Sequence, residues 1–212
     1  MQTTTEKFFM TPLGIVRCGL KSDVREPIFE TRTYENGKSE IFKTISHKIE
    51  LIEFKIRSSL SNGYYVTDSL GWIWRIEKIT EANEPLEIYC LLNDQNNDVK
   101  FDIAGGEHLD AIEAANEDWI LHIGTEDGEV QQGRAKDDDW FPSRLVNMVG
   151  FNKSITTMHE SGFKTRIPEL QANERLHIQY LTAYDKRDDK KVNTWLAVDE
   201  SKRRLENWIG VW

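Results

Sequence analysis

Between residues 64 and 103, four short apolar runs alternate with turn-forming residues, and this pattern constrains the fold more than any other feature of the chain. The runs cover 64–66, 72–79, 86–92 and 99–103, separated by Asp68-Ser69, by 81–85 and by 93–98. Runs this short, bounded by Asp, Asn and Pro, suit strands better than helices. Within the second run, alternation puts Trp72, Trp74 and Ile76 on one face and Ile73, Arg75 and Glu77 on the other. The expectation is an antiparallel meander with one dry face.

The flanking segments extend this picture. Phe8, Phe9, Met10, Leu13, Ile15 and Val16 read as one buried strand, and 28–34 as a second, stopped by Asn36-Gly37. Phe42, Ile45, Ile49, Ile52 and Ile56 fall at spacings of three and four, which predicts a long helix over about 39–60. Alternation of Ile49/Leu51 and of Ile52/Phe54/Ile56 leaves a strand as the alternative. Leu109, Ile112 and Ala115 suggest a short helix near 107–116. A strand over 119–124 follows, then a hairpin turn at Asp127-Gly128. One or two helical turns over 145–149, a strand over 163–167, a hairpin pairing 175–184 with 193–198, and a helix over 200–208 complete the chain. The fold class is α+β, mostly antiparallel sheet with one long and two short helices, in a single domain spanning 1–212 with a soft subdivision near 104–118.

Charge is distributed unevenly. The 212 residues carry 27 Lys and Arg against 36 Asp and Glu, a formal charge of −9. Residues 104–140 hold eleven acids against Arg134 and Lys136, so this stretch alone accounts for the net charge. Such a balance argues against free duplex DNA as a ligand, which requires a basic face to release counterions. No apolar run approaches a membrane span, and Glu6 and Pro12 interrupt anything resembling a signal peptide, so a soluble cytoplasmic protein is expected. Cys18 and Cys90 read as reduced, packed thiols.

Chemistry-bearing motifs are sparse. The five histidines, His47, His108, His122, His159 and His177, have no metal-ligand spacing, and G-x-S-x-G, P-loop and G-x-G-x-x-G patterns are missing. Asp137-Asp138-Asp139 is contiguous and Asp94/Asn96/Asp98 lacks the glycine and closing glutamate of a calcium loop. No catalytic, cofactor or metal residues are assigned. The acidic stretch suggests a partner-binding face made of Asp127, Glu129, Asp137, Asp138, Asp139 and Trp140. The basic residues Lys186, Arg187, Lys190, Lys191, Arg203 and Arg204, with Trp195 and Trp208 nearby, suggest a small RNA-proximal patch.

Residues 119–134, with a W-x-L-H opening and a D-G-x-V-x-x-G-R turn, are followed by a Y-L-x-x-Y-D strand at 180–185. Over roughly 117–200 this outline resembles the small accessory subunit of type III-D CRISPR interference complexes. Gln131-Gln132 depart from it, standing where a more apolar strand is expected. The resemblance implies a non-catalytic subunit that docks on protein subunits of a multi-subunit complex and contacts guide RNA indirectly if at all. An acidic face suits basic, RNA-binding partners. Two alternatives stay open: a stand-alone acidic immunity protein or nuclease inhibitor, and a small-molecule enzyme whose site is not contiguous in sequence, with His122 or His177 as candidate bases.

Overall fold

The computed structural model describes residues 5–22, 26–56, 65–105, 109–188 and 193–211. It is built from two antiparallel sheets. Strands β1 (Thr5–Thr11), β2 (Gly14–Lys21), β7 (Glu87–Asn93), β12 (Gly162–Arg166) and β11 (Thr156–His159) form a five-stranded sheet in that spatial order. The second sheet has eight strands in the order β3 (Glu26–Tyr34), β4 (Gly37–Lys43), β5 (His47–Phe54), β6 (Asp68–Lys78), β13 (Arg175–Lys186), β10 (Trp119–Glu126), β9 (Leu109–Ala115) and β8 (Lys100–Gly105). Three helices accompany them: α1 (Gly128–Asp137), α2 (Asn193–Val198) and α3 (Lys202–Ile209), with a 3-10 turn at Ser143–Met148.

The main core lies between the sheets, where Val16, Cys18, Leu20, Ile88, Cys90 and Phe163 meet Trp72, Trp74, Ile76, Ile178 and Tyr180. A second core covers the opposite face of the eight-stranded sheet. There Ile52, Phe54, Ile73, Leu181 and Ala183 pack against Ala197 and Val198 of α2 and Leu205 and Ile209 of α3. Central strands of the larger sheet are therefore buried on both faces, and this overturns two helix expectations. The segment expected as a helix over 39–60 is β4 and β5: Ile49 and Leu51 enter the first core, Ile52 and Phe54 the second. A strand apolar on both sides carries a nearly continuous hydrophobic run, and such a run contains helical spacing by chance. Likewise 107–116 is not a helix. β9 turns Leu109 and Ala111 toward α2 and α3 and Ile112 and Ala114 toward the other sheet.

Other expectations fail on connectivity. The meander breaks after β6, because β7 crosses into the middle of the five-stranded sheet, where Cys90 faces Cys18 across the β2–β7 ladder. Both thiols are free and buried. The first apolar run is a hairpin, since Thr11 Oγ1 bonds the Gly14 carbonyl and accepts the Leu13 N–H, closing a turn around Pro12. Residues 193–198 form α2 instead of a strand partner for β13. Thr194, Ala197 and Val198 fall on one helical face against the sheet. The turn at Asn36-Gly37, the strands at 72–79, 86–92, 119–124 and 163–167, and the amphipathic C-terminal helix stand close to where periodicity places them. Gly210, in the left-handed region at φ 82°, terminates α3.

Candidate functional site

Asp127-Gly128 does not make a hairpin. Asp127 caps α1, its Oδ1 accepting the Val130 N–H at 2.8 Å. Gly128 packs so closely on the following segment that an added Cβ would lie 2.0 Å from the Lys153 carbonyl oxygen. Asp-Gly supplies both hairpin turns and helix starts, and this contact selects the second. Gln131 and Gln132, out of place on a strand, are fasteners on a helix. The Gln131 Oε1 accepts Ser154 Oγ–H at 3.1 Å, and Gln132 Nε2 donates to the Val149 carbonyl at 3.0 Å.

Of the expected acidic face, Glu129, Asp137 and Asp139 are exposed on α1 and just beyond it, while Asp127 is partly occupied as the cap. Asp138 and Trp140 turn inward. Asp138 takes Arg134 Nε at 2.8 Å and Lys202 Nζ at 3.0 Å. The Trp140 ring has Arg75 at 4.9 Å and Arg175 at 5.4 Å from its centroid. The contiguous triplet thus divides, because successive residues point in different directions.

Asp138 belongs to a network that the sequence did not disclose. Carboxylates and cations alternate along it, Glu126–Arg134–Asp138–Lys202–Glu206–Arg75, recruited from β10, α1, α3 and β6. Lys202 reaches Glu206 at 3.3 Å, and Arg75 reaches the same carboxylate at 2.6 Å. Arg134 also donates to the carbonyls of His177 and Trp140 at 3.1 and 3.2 Å. Burial pushes the Glu126 carboxyl above its ordinary value against the pull of Arg134. Burial also opposes the charge on Asp138, yet the Arg134 and Lys202 bonds hold its carboxyl below the usual range. His177 is fully buried beside these groups, with Nε2 at 3.2 Å from Gln179 Oε1. Burial first, then the charges of Arg134, Lys202 and Arg75, drive its pKa well down. The Arg75 Nε, Glu126 Oε1 and His177 Nδ1 atoms are buried without a hydrogen-bond partner. The i,i+4 pairs Arg134/Asp138 and Lys202/Glu206 are the only local traces of the network, and they become legible once both helices are assigned.

His122 and His47 fill structural places. His122 Nδ1 lies 2.9 Å from Thr194 Oγ1 and Nε2 lies 3.4 Å from Glu113. Its pKa is lowered to about 4 by burial. His47 is lowered similarly, to about 4, by burial and then by Lys78. His108 lies outside the described residues. Among the described residues no group of three His, Cys, Asp or Glu side chains is placed to hold a metal ion.

Of the six residues expected as a basic patch, four lie among the described residues. Lys186 closes β13, and Arg187 follows it, its N–H donating to the Asp118 carbonyl. Arg203 and Arg204 are exposed on α3. Lys190 and Lys191 lie outside the described residues.

A groove opens where the head of α1 meets the 150–158 segment. It encloses about 480 Å³ and is lined by Asp110, Asp127, Glu129, Phe151, Lys153 and Met158, among others. Phe151 is 76% exposed at the tip of the Gly150–Lys153 turn. Asp110, partly buried, has its carboxyl pushed up by burial and by Asp127. No helix among the described residues is long and apolar enough to cross a membrane. No protein-family model, curated protein or solved structure compared with the chain matches it.

Proposed function

We propose that this chain is a non-catalytic docking subunit whose acidic α1 surface engages a basic, RNA-binding partner protein. The class of assembly, an RNA-guided interference complex of the type III-D CRISPR kind, comes only from the resemblance over 117–200. The docking chemistry comes from α1. The observation that carries it is how this helix is held. It buries only Gly128, Gln131 and Ala135, too little apolar surface to pack on its own account. It is fastened instead by polar bonds, from Gln131 to Ser154, Gln132 to the Val149 carbonyl, Arg134 to Glu126 and the His177 carbonyl, and the following Asp138 to Lys202. A helix displayed in this way presents Glu129, Asp137 and Asp139 in fixed positions, so binding needs little ordering of the acidic face. Complementary charge then sets register and on-rate.

The test compares the tagged parent chain with Asp137→Lys/Asp139→Lys by capture from the native host, with mass spectrometry of retained proteins and sequencing of retained RNA. Asp138 is left alone because reversing it would break the buried network. The expected result is several basic subunits with guide-length RNA, lost in the variant and weakened by raising salt from 0.1 to 0.5 M. A single basic nuclease or toxin lost in the variant would establish the stand-alone inhibitor instead. Capture indifferent to the two reversals would overturn docking through this face.

A further inference from the structure

The groove beside α1 offers more than charge. The Gly150–Lys153 turn is closed by reciprocal backbone hydrogen bonds of 2.9 Å, and Gly128, Gln131 and Gln132 fasten it to α1. Phe151 therefore stands in solvent on an anchored backbone. A large ring exposed on a rigid element is how a protein surface supplies an interface anchor at small entropic cost. The rim decides what the anchor meets. Among the described residues, Asp127 has one carboxylate oxygen committed to capping, the Asp110 and Glu129 carboxylates accept no hydrogen bond, and Lys153 is the one cation in the lining. An anion is disfavoured at this helix start because Asp127 and Glu129 already occupy it with negative charge. A cation that also stacks on an aromatic face fits both features, and a planar, weakly hydrated guanidinium does so better than an ammonium. The volume exceeds one side chain, leaving room for the flanking residues of a short segment.

We infer that the groove receives an arginine-bearing segment of the partner protein, with Phe151 as the stacking surface and Asp110 and Glu129 as the counter-charges. This rests on the docking reading above and names the part of the partner that the chain recognises.

The test uses a fluorescent, end-blocked nonapeptide of alternating Gly and Arg, with citrulline-for-Arg and Lys-for-Arg counterparts, followed by anisotropy at 0.15 M salt. The arginine peptide should bind, the lysine peptide more weakly and the citrulline peptide not at all. Phe151→Ala and Asp110→Asn should each weaken binding about tenfold, Lys153→Glu should tighten it, and Asp137→Lys/Asp139→Lys should change it less than threefold. Phe151 is exposed, so its removal leaves the fold intact. Failure of the arginine peptide to bind, or equal binding by Phe151→Ala and Asp110→Asn, would overturn the inference. Host capture separates this from the broader reading: partners lost with the α1 reversals yet retained by Phe151→Ala leave docking standing and remove the groove from it.

Discussion

Arg134→Met tests whether the buried network holds α1 in place. The Arg134 side chain is 9% exposed and makes four hydrogen bonds, to Glu126, Asp138 and the carbonyls of His177 and Trp140. Methionine keeps much of the volume but leaves Glu126, 4% exposed, without its counter-charge. Removing one member of a buried pair typically costs about 3–5 kcal/mol, most of it the stranded charge. With a urea m-value of about 2 kcal/mol/M, a loss of about 4 kcal/mol lowers the unfolding midpoint by about 2 M. The pH dependence identifies the cause. Glu126 already has a raised carboxyl pKa in the folded chain, and losing Arg134 raises it further. A raised carboxyl adds stability below the unfolded value near 4.5, and that contribution is lost as pH rises through the folded value. The penalty of Arg134→Met should therefore be smaller at pH 5 than at pH 8. The double variant Glu126→Gln/Arg134→Met should recover part of it. A loss under 1 kcal/mol at pH 8, or a double variant no more stable than Arg134→Met, would refute the network's role.

Other perturbations follow from single contacts. His47 and His122, with folded pKa values near 4 against an ordinary 6.5, keep the folded state from taking protons that the unfolded chain accepts. Stability should therefore be full above about pH 6.5 and fall toward pH 4, by on the order of 3 kcal/mol for each group; His122→Gln should flatten the urea midpoint against pH. Gly71→Ala places a Cβ 2.4 Å from the Phe54 ring, and overpacking of this kind costs about 1–3 kcal/mol, read as a lower thermal midpoint. Gly128→Ala meets backbone carbonyls that cannot move aside as a side chain can. It should loosen the 150–154 segment, seen as faster amide exchange at Gly150 and Lys153. Cys18 and Cys90, both wholly buried, should resist a thiol reagent in the native protein and react as two thiols in denaturant.

Wherever a segment's environment could be inferred from its own residues, the amino-acid sequence was sufficient. Alternation located β6, short apolar runs located β7, β10 and β12, Asn36-Gly37 located a turn, and the spacing of Leu205, Trp208 and Ile209 located α3. The acidic block likewise marked Glu129, Asp137 and Asp139 as surface residues. Only tertiary structure decided that β5 and β9 are strands, because a second core covers the face that an isolated sheet would leave wet. The same burial turned Arg75, read as lying on a wet face, into a network member at 8% exposure. The network also joins residues far apart in the chain. Arg75 meets Glu206 across 131 positions, and Asp138 meets Lys202 across 64. Local periodicity reports which side of an element is apolar, but it carries no record of which distant charge will arrive to neutralise a buried one.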